Sequence, residues 1–448
     1  MKTLKNFPYQ HVLVLGLAKS GQAAAQLLYD SHISFAINDK QSFEQNETAQ
    51  YFARLGVDVV TGDHPLSVLD GVDLVVKNPG IPHQHVIVAE AEKQGVPVVT
   101  EIELAYLLVD GPLVAITGTN GKTTTTTLIH RILDEAGLNP LLAGNIGVVA
   151  SEVVREQKPG QPVVMELSSF QLKAIHQFKP DIAVLLNITE AHLDYHQTLE
   201  DYVNSKLRLV ERQTAEDFVV YNHDDSTITS NHESFQAKQT PFSMINSMPH
   251  GVSCLDGDLY IGKEKLMAKR DVALPGDHNL ENVLASIAVA SQFNVPHSVI
   301  ESVLKQFIGV KHRLQFVKSL DGRYVYNDSK ATNILATTKA IQAFSNPIVL
   351  IAGGLDRGVS FDELIEQFDS IKYCVAYGES AQKIAQSAYE YDFHAVTICE
   401  DIVEATNEAY QQSEAGDVIL LSPACASWDQ FKTFEDRGDM FIEVVHKL

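Results

Sequence analysis

The chain is short of several things, and each shortage narrows what it can be. It has only four cysteines, Cys254, Cys374, Cys399 and Cys425, and no C-x-x-C pair. That scatter fits free thiols in a reducing compartment and argues against a disulfide framework or a zinc site. No apolar run approaches the roughly 20 residues needed to cross a bilayer. The N-terminal stretch MKTLKNFPYQHVLVLG lacks the long apolar segment and small-residue cleavage site of a signal peptide. Low-complexity segments are missing too, which disfavours disorder. Basic residues are scarce: 34 Lys and Arg stand against 57 Asp and Glu, a net charge of −23. That field repels polyanions, so neither a nucleic-acid surface nor an anionic membrane is an expected partner. The expectation is a cytoplasmic chain acting on small molecules.

What is present is ample core material. The hydrophobic share is 45 % over 448 residues, ordinary for a globular chain and long enough for about three domains. Short β-rich runs alternate with helical stretches, which predicts an α/β fold built on mostly parallel sheets. HVLVLG (11–16), SFAIND (34–39) and LVVKNPGIP (74–82) open the first block. PLVAITG (112–118), PVVMELSS (162–169) and DIAVLLNIT (181–189) mark the second. RYVYNDS (323–329), PIVLIAGG (347–354), KYCVAYG (372–378) and DVILLSPA (417–424) mark the third. The expected domains are 1–102, 103–309 and 310–448; the stretch 211–275 gives no clear pattern.

The most specific motif is AITGTNGKTT (115–124). A β-branched run ends at Gly118, and Gly121-Lys122-Thr123 opens a helix. Glycines let backbone N–H groups close around phosphate oxygens, and the helix N-terminus adds partial positive charge. Lys122 can reach terminal phosphates, and the Thr123 hydroxyl can ligate Mg²⁺. The spacing Gly118-x-x-Gly121 is two residues shorter than the usual phosphate loop. Glu166 closes a later strand of the same block, where a Mg²⁺ ligand belongs, although a plain strand-end charge reads the same way.

Other signals are weaker alone. LGLAKSG (15–21) resembles a dinucleotide turn, but Ala18 stands where the middle glycine should be. A turn holding another nucleotide diphosphate and a plain strand-to-helix turn both remain open, with Asp39 placed to accept from a ribose or base. Asn78-Pro79-Gly80 falls at the same sheet edge. His192, Asp194 and His196 cluster after a strand without zincin spacing. Lys206 reads by itself as a surface lysine. Asn279 and Asn282 share a helix face, with Asp277 near that helix's start, and suit either adenine recognition or plain capping.

Together and in this order, TGTNGKTT (117–124), ELSSFQL (166–172), NITEAHLDYH (187–196), SKLRLVE (205–211), GDHNLEN (276–282), KHRLQFV (311–317), NDSKATN (327–333) and LSPACASWDQF (421–431) resemble the Mur ligases. These are ATP-dependent amide-forming enzymes of peptidoglycan precursor synthesis. The resemblance implies a Rossmann-like N-terminal UDP-binding domain, a central ATPase domain of phosphate-loop type and a Rossmann-like C-terminal amino-acid domain. GLAKSG, NPGIP and SPACASWDQFKTFEDRG point to the branch that adds D-glutamate to UDP-N-acetylmuramoyl-L-alanine; the D-N-P-R motif of a sister ligase is absent. A monomer is expected. ATP and two Mg²⁺ are the implied cofactors.

The resemblance also assigns residues. Gly118, Thr119, Asn120, Gly121, Lys122, Thr123 and Thr124 would hold ATP phosphates. Asn279, Asn282, Arg313 and Asp328, with His312 beside them, would surround adenine and ribose. Thr123, Glu166, His192 and a carbamylated Lys206 would ligate metal, and Lys122, Glu166, His192 and Lys206 would carry the chemistry. Ser20, Asp39, Lys40, Asn78, Gly80, Asn145, Ser168, Gln171 and His192 would face the UDP-sugar. Lys330, Thr332, Arg357, Ser427 and Phe434 would surround D-glutamate. Three rivals are a folylpolyglutamate-synthase-like ligase, a nicotinamide-dependent oxidoreductase and a non-catalytic nucleotide binder.

Overall fold

The computed structural model describes all residues except Pro275 and Ser345, and all side chains except those two and Asp194, Asp277 and His278. The acidic group expected at 194 and the cap expected at 277 therefore lie outside the described residues. Two compact units are present, Met1–Phe307 and Ile308–Leu448.

The first unit carries two sheets. Strands β1 (His11–Leu15), β2 (Ser34–Asp39), β3 (Asp58–Thr61), β4 (Leu74–Lys77) and β5 (Val98–Val99) pair in the order β3-β2-β1-β4-β5, all parallel. Inner strands β1 and β4 are apolar almost throughout because helices cover both faces, and Val12–Leu15 and Leu74–Val76 are buried. The chain leaves β1 in one direction and β4 in the other. The turns after these two strands therefore flank a crevice at the sheet's carboxyl edge, the usual ligand position in such folds.

The second sheet contains β6 (Leu113–Thr117), β7 (Leu141–Gly144), β8 (Val163–Glu166), β9 (Ile182–Leu185), β10 (Phe218–Asn222), β11 (Lys238–Ser243), β12 (Val252–Leu255), β13 (Asp258–Ile261) and β14 (Glu264–Ala268). Its order is β14-β13-β12-β11-β10-β9-β6-β8-β7. It is parallel except at the β12–β13 and β13–β14 pairs, which are antiparallel. The stretch without a clear sequence pattern thus supplies the far half of this sheet.

Between the two sheets, buried Glu101 and Glu103 serve as anchors. Glu101 accepts the Ser151 N–H, and Glu103 accepts those of His176, Gln177 and Phe178.

The second unit is built on β15 (Gln315–Leu320), β16 (Arg323–Asn327), β17 (Ile348–Gly353), β18 (Ile371–Tyr377), β19 (Val396–Cys399) and β20 (Val418–Ala424), in the order β15-β16-β20-β17-β18-β19. Only β15 runs antiparallel to its neighbour. The carboxyl ends of β16, β20 and β17 lie side by side, which gathers the segments after Asn327, Ala424 and Gly353 at one edge. Among the described residues no helix is long and apolar enough to cross a membrane.

Candidate active site

The loop after β6 and the helix Lys122–Glu135 form the centre of the site. Gly121 is the helix N-cap at φ +80°, and a Cβ there would meet Asn282 Oδ1 at 2.0 Å. Only glycine satisfies both the left-handed backbone and that approach. Lys122 folds back over the loop, its Nζ donating to the carbonyls of Gly118 and Thr119, each at 2.8 Å. Asn120 N–H donates to Asn187 Oδ1 at 2.8 Å, and Thr119 Oγ1 lies 2.9 Å from the Tyr202 hydroxyl. The loop is therefore pinned from the segment after β9 and from the helix Leu199–Glu211.

Glu166, at the end of β8, is 2 % exposed and held on both oxygens. Thr123 Oγ1 donates to Oε2 at 2.7 Å, and Asn145 Nδ2 donates to Oε1 at 2.9 Å. A hydroxyl and a carboxylate beside a phosphate loop suit Mg²⁺, which takes one or two protein oxygens and completes its shell with water and substrate phosphates. Among the described residues no three His, Cys, Asp or Glu side chains form an all-protein metal cage.

Lys206 is not a surface lysine. It is 1 % exposed, donates to the Gly118 carbonyl at 2.7 Å and sits 4.7 Å above the Tyr202 ring. Burial, reinforced by the nearby Lys122 charge, holds its ammonium well below the usual lysine range.

His192 is exposed, with φ +57°, and its ring lies 5.0 Å from Phe170 and 6.3 Å from Tyr202. His196 points inward instead. It is 2 % exposed, contacts Asp201 and Ser169 at 3.0 Å each, and stacks on Phe170.

Ser168 and Gln171 are engaged with one another. They form a capping box at the helix Ser169–Leu172, with Ser168 Oγ 2.9 Å from Gln171 Oε1. Asn279 and Asn282 share one helix face as expected, Asn282 Nδ2 donating to Asn279 Oδ1 at 3.1 Å, while Thr125 donates to Asn282. Thr124 is half-buried on the first turn of its helix.

At the edge of the first sheet, Asn78 Nδ2 donates to Ser20 Oγ at 3.0 Å and Asn78 Oδ1 accepts the Gly80 N–H at 3.2 Å. Asp39 accepts the Leu17 N–H at 2.6 Å, while Lys40 is exposed. A Cβ on Gly21 would lie 1.8 Å from the Gly16 carbonyl oxygen, so that glycine lets helix and turn pack closely. Sequence reading passed over Lys77 here. It is 1 % exposed, and its Nζ donates to the Ile81 carbonyl at 2.9 Å and to the Tyr195 hydroxyl at 3.0 Å. The available signal was a lysine closing an otherwise apolar strand.

In the second unit, Asp328 follows β16 and is pushed up to about 6 by burial, while hydrogen bonds from Leu314 N–H and Ser422 Oγ favour its charged form. His312 lies against Asn327, its Nδ1 3.0 Å from Asn327 Nδ2, and burial lowers its pKa; Arg313 beside it is exposed. Lys330 stands 5.9 Å from the Phe434 ring. Thr332 follows on the same half-buried segment. Ser427 is 1 % exposed, and its Oγ has no hydrogen-bond partner among the described residues. The Arg357 guanidinium stacks on Trp428 at 5.0 Å, and the Leu355 N–H donates to the Ala426 carbonyl, tying the two loops together. Arg437, also passed over, is fully buried and donates to Ser329 Oγ, the Ser329 carbonyl and the Cys425 carbonyl. It bridges the segments that carry Lys330 and Ser427.

Three family models match in chain order: Mur ligase MurD-like, N-terminal domain, over 10–100; Mur ligase middle domain, over 116–290; and Mur ligase, glutamate ligase domain, over 312–425. The chain is 49 % identical over 448 residues, all of both chains, to the UDP-N-acetylmuramoylalanine–D-glutamate ligase of Oceanobacillus iheyensis. It is 48 % identical over 441 residues, 98 % of each, to the ligase of the same name from Bacillus subtilis. Among solved structures it resembles the UDP-N-acetylmuramate-alanine ligase MurC of Thermotoga maritima, with TM-score 0.54, 19 % identity and 98 % and 99 % of the two chains covered. MurF of Acinetobacter baumannii matches with TM-score 0.55, 17 % identity and 97 % and 90 % coverage. At those identities the structures support the three-domain α/β fold alone. The full-length relatives and the three consecutive domain matches decide the matter: this chain belongs to the Mur ligase family.

Proposed function

We propose that this ligase joins D-glutamate to UDP-N-acetylmuramoyl-L-alanine at the expense of ATP, as a cytoplasmic monomer with domain boundaries near residues 102 and 309. The carrying observation is the phosphate loop whose Thr123 hydroxyl is hydrogen-bonded to the buried Glu166. The names of relatives about half identical along their whole length support the choice of substrates.

A carboxylate oxygen of the L-alanyl group attacks the γ-phosphorus of ATP and ADP leaves, giving an acyl phosphate. The D-glutamate amine then attacks the acyl carbon, phosphate leaves, and loss of a proton from nitrogen gives the amide. Carboxylate and triphosphate must meet despite repulsion. Two like charges about 4 Å apart cost roughly 4 kcal/mol at an effective dielectric near 20. Lys122, the loop N–H groups of Gly118 to Thr124 and the helix N-terminus offset that repulsion. Thr123, Glu166 and His192 are the side chains that would hold Mg²⁺, and bound Mg²⁺ would neutralise phosphate charge.

Lys206 fits a carbamate. Burial and the nearby Lys122 charge disfavour its ammonium; the neutral amine is the form that adds to CO₂, and the carbamate would be an anion able to join Glu166 in holding metal. In the first unit, Asn279 and Asn282 are offered to the nucleotide, and Ser20, Asp39, Lys40, Asn78, Gly80, Asn145, Ser168 and Gln171 to the UDP-sugar. In the second unit, Arg313 and Asp328 are offered to the nucleotide. Lys330, Thr332, Arg357, Phe434 and the unpartnered Ser427 hydroxyl are offered to D-glutamate. The test is ADP release across a panel of UDP-sugar peptides and amino acids. Turnover confined to UDP-N-acetylmuramoyl-L-alanine with D-glutamate supports the reading, and turnover on a folate acceptor instead overturns it.

A further inference from the structure

The four-residue helix Leu193–His196 is bracketed by two positive-φ residues, His192 at φ +57° in the left-handed conformation and Gln197 at φ +63°. For side chains with a Cβ, that backbone costs roughly 1–2 kcal/mol per residue and persists only where neighbours over-determine it. Two anchors do so. One is internal to the central sheet's surroundings, where His196 is gripped by Asp201 and Ser169. The other reaches across 118 positions of sequence to the first sheet.

The Tyr195 hydroxyl lies 3.0 Å from Lys77 Nζ, 3.1 Å from the Pro79 carbonyl and 3.2 Å from the Ile81 carbonyl. Lys77 donates to the Ile81 carbonyl at 2.9 Å as well. Both side chains are buried, at 1 % and 9 % exposure. These contacts hold the carbonyls of the turn 78–81, and they link that turn to the residue three positions after His192.

We propose that Lys77 and Tyr195 form a strut that fixes the 78–81 turn relative to the 192–197 segment, making them positioning residues for the UDP-sugar. This rests on the reading above that the turn faces the UDP-sugar and that His192 borders the acyl group. Tyr195→Phe keeps the ring on Phe170 and removes the hydroxyl, and Lys77→Met keeps the aliphatic stem and removes the donor. Burying an unsatisfied carbonyl in place of a hydrogen-bonded one loosens both ends.

The experiment has two arms on the full-length protein. In the first, amide hydrogen exchange is followed peptide by peptide. Lys77→Met should speed exchange across 192–198, and Tyr195→Phe should speed it across 78–82, with the phosphate-loop peptides unchanged. If each variant perturbs only its own segment, the strut is overturned whatever the substrate proves to be. In the second arm, KM for the UDP-sugar should rise about tenfold in each single variant and hardly further in the double variant, while KM for ATP stays within twofold. Additive losses, or an equal rise in KM for ATP, overturn the positioning role. Wild-type protein inactive on the UDP-sugar would instead defeat the substrate reading and leave the exchange arm to decide the strut.

Discussion

Thr123 Oγ1 and Glu166 Oε2 lie 2.7 Å apart, joining the first turn of the phosphate-loop helix to the end of the neighbouring strand. The Asn145 amide on the other carboxylate oxygen fixes the orientation of Glu166. Thr123→Val and Glu166→Gln should each lower kcat by about 10²-fold or more, the scale seen when one preorganised charge-stabilising group is lost. Their effects should be strongly non-additive, because both act on one oxygen cluster. Steady-state kinetics over a Mg²⁺ titration checks this; independent, multiplicative losses would separate the two residues.

Lys206→Ala should remove at least 10²-fold of the activity, and added bicarbonate should not restore it, since the variant has no amine to carbamylate. Labelled CO₂ should give a carbamate carbon signal by NMR in the wild type and none in the variant. A fully active alanine variant would show that this lysine only packs under the loop.

Gly121→Ala places a methyl group 2.0 Å from Asn282 Oδ1 at a left-handed backbone position. The Asn282 side chain must then shift, straining its bond from Thr125, with a loss of stability of about 1–3 kcal/mol. KM for ATP should rise at least tenfold. Denaturant unfolding and ATP kinetics test this together, and unchanged values in both would mean that the loop adapts freely.

Glu101 is raised to about 7 by burial, only partly offset by its hydrogen bond from Ser151. A carboxyl whose folded pKa exceeds its unfolded value favours folding in its protonated form. That contribution is full below about pH 4.5 and is lost as pH rises to 7. Glu101→Gln stays neutral, so it should gain stability over wild type at pH 8, by about 3 kcal/mol at most, and gain none at pH 4.5. Thermal denaturation at the two pH values measures it; an equal difference at both would assign the effect to packing instead.

Much of the architecture could be read from residues alone because its signals are local. The apolar run ending at Gly118 followed by Gly121-Lys122-Thr123 specifies strand, loop and helix at once. Apolar runs such as Ile348–Ala352 reveal strands covered on both faces. The 211–275 stretch hid its strands because β13 and β14 are short and only partly buried, with Asp258, Glu264 and Lys265 interrupting the pattern. Lys206 by itself looked like a surface lysine, since burial beneath the loop depends on a contact 88 positions away. Lys77 and Arg437 were missed for the same reason. Lys77 is held by the hydroxyl of Tyr195, 118 positions on, and Arg437 by Ser329, 108 positions back, and such pairings leave no spacing pattern in the chain.

The most direct test of the central claim is ADP and product formation, measured by mass spectrometry, with wild-type protein, ATP and Mg²⁺. The account predicts a product equal in mass to UDP-N-acetylmuramoyl-L-alanine plus D-glutamate less one water, formed with one ADP and only when both substrates are present. No product from that pair, with efficient ligation of another amino acid or acceptor, would contradict it.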